Sequence, residues 1–103
     1  METVRHVAKL WHWSGGKGAG WFFLTIDDGA GETLSATALM RRLETGTRAG
    51  FGSLRVHARI GGSRWQTSVF PQKERGWLLP VKAAIRRAEA IGEGDQVAIV
   101  LEV

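Results

Sequence analysis

Apolar and polar residues alternate most cleanly near the middle of the chain. Leu54, Val56, Ala58 and Ile60 point one way and Arg55, His57 and Arg59 the other, so Phe51 to Ile60 reads as a half-buried strand. Gly61-Gly62-Ser63 makes the turn, and Arg64 to Phe70 is the partner strand, with Trp65, Thr67 and Val69 on one face and Pro71 closing it. The charged run from Pro71 to Gly76 is a hairpin tip leading to a short apolar strand, Gly76 to Pro80. The period then changes. Val81, Ala84, Ile85, Ala88 and Ile91 recur at helical spacing, Gly92 offers a left-handed stop, and Gly94-Asp95 makes a turn. Val97, Ile99, Leu101 and Val103 end the chain as a strand with one apolar face.

The first half is less regular. Val4 to Trp13 has strand character, and its even positions are the more core-like through Val4, Ala8 and Leu10. The glycine-rich stretch from Ser14 to Gly20 holds Lys17 but no Ser or Thr after it, and an apolar strand follows where a phosphate loop would open a helix. It therefore reads as a hairpin loop. Trp21 to Ile26 is nearly all apolar, as expected of a strand that is either central or covered on both faces. Asp27-Asp28 ends it, a first helix runs from about Glu32 to Leu43, and Glu44 to Gly50 is a polar loop. The predicted order is β-β-α-β-β-β-α-β, mainly β with two helices in a single domain over residues 1–103. Two strand–helix–strand halves echo one another in layout. Such halves can close into a small six-stranded barrel with a helix at each mouth, leaving no exposed edge.

Composition narrows the class without naming a function. The chain has 103 residues, enough for one core without staples. It has no cysteine, so disulfides and Cys-based zinc sites are excluded and a reducing cytoplasm is expected. Arg5, His6 and Lys9 interrupt any leader-like run, and no apolar stretch reaches membrane-spanning length. A net charge of +4 permits polyanion binding, and five Trp without a Tyr point to a packed core or a ring-lined pocket.

Several motifs together resemble a known family. They are Gly15-Gly16-Lys17-Gly18 with Trp21-Phe22-Phe23, Gly50-Phe51-Gly52-Ser53, the Trp65–Pro71 strand, and Leu78-Leu79-Pro80-Val81-Lys82 leading to Gly92–Val97. The chain resembles a prokaryotic domain-of-unknown-function family, some members of which are joined to YdeI/OmpD-associated, bacteriocin-protection-like regions. That resemblance implies a double-split β-barrel capped by helices. The tail, from Pro80 through Gly92-x-Gly94-Asp95 to the last strand, is similar to the swapped-hairpin unit of AbrB-type transcription factors. The family carries no established activity.

Catalytic chemistry finds no set of residues. Ser68 lies on no nucleophile elbow, His6 and His12 share a strand face but stand ~20 Å apart along it, and the adjacent Asp27 and Asp28 read as a turn or cap. The chain is therefore expected to be a binding module, with no enzymatic activity, cofactor or metal. The first expectation is an anionic small molecule or peptide end held by Lys82 and Arg86, four apart on one helix face, with Trp65 or Trp77 as an apolar wall. The alternative is nucleic acid over Arg55, Arg59 and Arg64, with Lys73 on the neighbouring hairpin. A third is partner docking through an exposed Trp11–Trp13 face. A self-closing sheet favours a monomer over a homodimer, and no membrane is expected.

Overall fold

The computed structural model describes residues 2–14, 20–46, 52–74 and 76–103. The centre of the glycine loop (15–19), the end of the polar loop with Phe51 (47–51) and position 75 of the charged hairpin lie outside the described residues. The elements are β1 (Thr3–Lys9), β2 (Trp11–Trp13), β3 (Trp21–Ile26), α1 (Asp28–Thr45), β4 (Leu54–Ile60), β5 (Ser63–Pro71), β6 (Trp77–Pro80), α2 (Ala83–Ala88) and β7 (Gln96–Glu102). They form one curled antiparallel sheet in the order β1-β7-β4-β5-β6-β3-β2.

The sheet has seven strands where the sequence predicts six, because the first strand breaks at Leu10. The break has a physical cause. Leu10 is 1% exposed and belongs to the core. Its N–H donates to the Asp95 carbonyl at 2.9 Å, and its carbonyl accepts from the Gly94 N–H at 2.8 Å. Tied to the turn before β7, the chain changes partner: β1 pairs with β7 and β2 with β3. The two ends of the sheet are thus consecutive in the chain, and the curled sheet is barrel-like.

β5 makes the equivalent change. Its residues Ser63–Val69 pair with β4, whereas Phe70 and Pro71 pair with β6. The two halves of the chain therefore match element for element. β1/β2–β3–α1–β4 corresponds to β5–β6–α2–β7, and the equivalent strands meet, β3 against β6 and β4 against β7. The repeated strand–helix–strand plan in the sequence is this pseudo-symmetry. β7 is paired on both sides within its own chain, which departs from a tail completed by a swapped partner.

The core is the set of inward positions the alternation marks. Val56, Ala58, Val69, Leu79, Ile99 and Leu101 are all buried, joined by Leu24 and Ile26 of β3. β4 reproduces the predicted alternation at every residue. The helices differ more. α1 begins before Glu32, at Asp28, the second residue of the pair expected to form a turn or cap. Gly31 is a close-approach position: a Cβ there would lie 2.8 Å from the Ile26 carbonyl oxygen, so glycine lets the helix seat against the end of β3. Leu34 is its fully buried anchor. α2 ends at Ala88, short of Ile91, because Ala90 and not Gly92 takes the left-handed conformation (φ 54). Val81 and Ile85 are buried and Ile91 partly so, but Ala84 and Ala88 face solvent, so the predicted stripe is narrower than expected.

A cationic aromatic cleft as candidate functional site

After Val69, β5 leaves β4 for β6, and its Trp65–Thr67 stretch borders a gap whose other wall is the β6–α2 junction. The cleft between them encloses about 320 Å³. Trp65 forms one side, Lys82 and Arg86 the other, and Trp21 and Phe22 the end. The i, i+4 spacing puts both cations on the same face of the helical turn, and Pro80-Val81 fixes how that turn leaves the sheet: the Val81 N–H donates to the Phe22 carbonyl at 2.9 Å.

Arg86 is held in place before any ligand arrives. Its guanidinium carbon lies 3.8 Å from the centroid of Phe22, and its Nε donates to the Val81 carbonyl at 3.2 Å. His12 stacks on the same Phe22 ring at 4.6 Å. One donor of the guanidinium is spent on the protein, and its two terminal nitrogens have no partner among the described residues. A flat fork fixed in this way suits a carboxylate or phosphate that accepts two hydrogen bonds. Lys82 is exposed, an adaptable second charge. Among the described residues, no carboxylate lines the cleft.

Trp77 is not part of this site. It is 4% exposed, and its indole N–H donates to Ser35 Oγ at 3.0 Å, so it belongs to the core beneath α1. Lys73 also stands apart, on a separate depression with Thr25, Asp27 and Glu74. Arg55, Arg59 and Arg64 do share the outer face of the sheet, as the alternation predicts. Arg55 Nη2 donates to Gln66 Oε1 at 3.3 Å, and Arg59 stands directly opposite Arg64. Of the histidines, His6 Nε2 lies 3.2 Å from Asp27 Oδ1. Asp27 occupies the first cap of α1 without a side-chain cap hydrogen bond.

The pattern of a family described as "Domain of unknown function (DUF1905)" matches residues 7–101. The chain belongs to that family. This agrees with the resemblance carried by its tryptophan, glycine and proline motifs. A comparison with curated proteins finds no match. The match begins within β1 and takes in the whole cleft, since Trp21, Trp65, Lys82 and Arg86 all fall within the matched residues. No helix among the described residues is long and apolar enough to cross a membrane.

Sequence reasoning missed three participants. Trp21 and Phe22 read as core because their strand is apolar throughout, yet Trp21 is 56% exposed. Arg5 joins the outer cationic face only through the strand order. It stands opposite Val100, which stands opposite Arg59. The available signal for Trp21 and Phe22 was the concentration of bulky rings at the very start of β3, where a strand emerges from its neighbours.

Proposed function

We propose that this domain is a non-enzymatic binding module for a small anion with an apolar body, taken into the cleft between β5 and α2. The acid group sits on the Arg86 fork with Lys82 beside it, and the body packs against Trp65, Trp21 and Phe22. One observation carries this reading: the cleft joins two cations and three aromatic rings with no carboxylate among its lining residues. Small-ligand sites combine an apolar wall with a few convergent polar groups in this manner.

Calorimetric titration of the full chain with inorganic phosphate, nucleoside monophosphates and aromatic carboxylates tests it. Binding of an aromatic anion, weaker binding of phosphate alone, and loss of both in Arg86→Gln support the reading. No heat and no thermal shift at millimolar concentrations of every compound would end it.

A further inference from the structure

The cleft does not stand alone. Trp21, at its end, also belongs to an aromatic face on the outside of β2 and β3. Trp21 and Trp13 are cross-strand partners, as are Phe23 and Trp11. The Trp21 and Phe23 rings lie nearly parallel, 9° apart with centroids separated by 6.1 Å, and Trp11 is pinned by its N–H to Thr25 Oγ1 at 3.0 Å. Trp13 and Trp21 are 46% and 56% exposed. At its other side the cleft shares Trp65 and Gln66 with a second groove of about 610 Å³ on the outer sheet. There the register sets Arg5, Val100, Arg59 and Arg64 in one row across four strands.

That row is electrostatically odd. Like charges directly opposite on a sheet destabilise it, yet Arg59 faces Arg64, and neither they nor Arg5 make an ion pair among the described residues. The one carboxylate lining the groove, Glu102, stands in the next row opposite His57. Uncompensated cations in a row call for a ligand with repeated negative charge. Exposed flat rings at the far end of the adjoining cleft call for one with repeated flat faces. A single strand of nucleic acid has both, whereas a duplex hides its base faces and an acidic peptide lacks them.

Resting on the anion-binding reading of the cleft, we propose that the ligand is a single-stranded nucleic acid segment. One phosphate occupies the Arg86 fork, bases stack on Trp21 and its aromatic neighbours, and the backbone continues past Trp65 to Arg64, Arg59 and Arg5. Recognition is then by charge and stacking, with little dependence on base identity.

Fluorescence anisotropy of the full chain with a labelled ten-nucleotide oligothymidylate, across a range of salt, tests this against an equal-length duplex, a mononucleotide and polyphosphate. Single-strand binding at least about tenfold tighter than duplex is expected. Each phosphate contact adds about 0.7 to the salt slope of log affinity, so Arg59→Gln with Arg64→Gln should lower that slope by roughly 1.4. Trp21→Ala, at an exposed position, should weaken binding by about 5- to 150-fold, the range for one lost base stack; circular dichroism melting confirms that it folds. Polyphosphate competing equally per charge, with Trp21→Ala unaltered, would overturn the inference. A mononucleotide bound as tightly as the oligonucleotide would overturn it while leaving the small-anion reading standing. Binding of neither would remove both.

Discussion

The Arg86 guanidinium carbon stands 3.8 Å from the centre of the Phe22 ring, while its Nε is held by the Val81 carbonyl at 3.2 Å. Two restraints on one long side chain fix the direction of its remaining donors. Flexible arginines lose rotamer freedom on binding; this one has lost much of it already on folding. Arg86→Lys keeps the charge but removes both the flat stack and the fork. It should lower stability by about 0.5–1 kcal/mol, the scale of a cation–π contact at a partly exposed site. Anion affinity should fall more, by about tenfold or beyond, because a hydrogen bond to a charged group contributes about 1.5–3 kcal/mol. Melting curves and calorimetry on the same preparations separate the two effects. An unchanged affinity would remove Arg86 from the site.

Trp77 offers the contrasting case. It looks like a binding-site ring in the sequence, but its N–H is spent on Ser35 Oγ and its body on the core. Trp77→Phe should cost about 1 kcal/mol for the lost hydrogen bond, plus a cavity contribution. Ligand affinity, measured by calorimetry, should stay within about twofold; a larger drop would mean that Trp77 communicates with the cleft.

Gly20 tests how β2 and β3 are joined at their loop end. A Cβ at this position would fall on His12 Nε2 and within 2.6 Å of the Trp13 carbonyl oxygen. The imidazole can move, but only by leaving its stack on Phe22. The Trp13 backbone can move only by disturbing its pairing with Trp21. Gly20→Ala should therefore destabilise the fold by about 1–3 kcal/mol, the usual range for overpacking. Chemical denaturation measures this, and the tryptophan emission should change as the Trp13–Trp21 pair rearranges. A neutral substitution would show that the β2–β3 end is looser than its geometry implies.

These contacts explain which parts of the structure were legible beforehand. β4 was readable residue by residue because one face is buried and the other wet, so the period of two is written into Leu54–Ile60. The break at Leu10 was not, because Lys9-Leu10-Trp11 continues a strand pattern without punctuation. The break is imposed by Gly94 and Asp95, far along the chain. Gly31 concealed the start of α1 for a related reason: a glycine required by close approach to Ile26 looks the same in sequence as a helix breaker. In the site, the Lys82–Arg86 spacing was visible because it is local. Trp21, Phe22 and Arg5 depend on which strands become neighbours, and the order β1-β7-β4 and the β5–β6 split are tertiary facts.

Leu10 itself makes the break testable. Its side chain is fully enclosed, while its backbone bonds to Gly94 and Asp95 survive truncation. Leu10→Ala removes only the packing at the point where one strand serves both ends of the sheet. The expected cost is about 2–5 kcal/mol, read as a shift in the denaturation midpoint. Hydrogen exchange should also quicken at β1 and β2 more than at the β4–β5 hairpin. Uniform exchange changes would argue that the break is held by backbone bonding alone.

Arg59 and Arg64 provide a prediction in which stability and binding move in opposite directions. They are direct cross-strand partners on the exposed face of the β4–β5 hairpin. Arg59→Glu replaces a repulsive pair with an attractive one, so the variant should be more stable by about 0.2–1 kcal/mol at low salt. The gain should shrink near 1 M salt, where the screening length falls to about 3 Å. The same substitution places a negative charge in the middle of the Arg5–Arg59–Arg64 row, so oligonucleotide affinity should fall as the melting temperature rises. A residue retained for packing or solubility would not behave this way, because improving its pairing would leave binding untouched. Paired melting and anisotropy measurements at low and high salt give the answer directly. If Arg59→Glu destabilises the domain, Arg59 is contributing to the fold through its aliphatic stem. If it stabilises without weakening binding, the cationic row has no part in recognition.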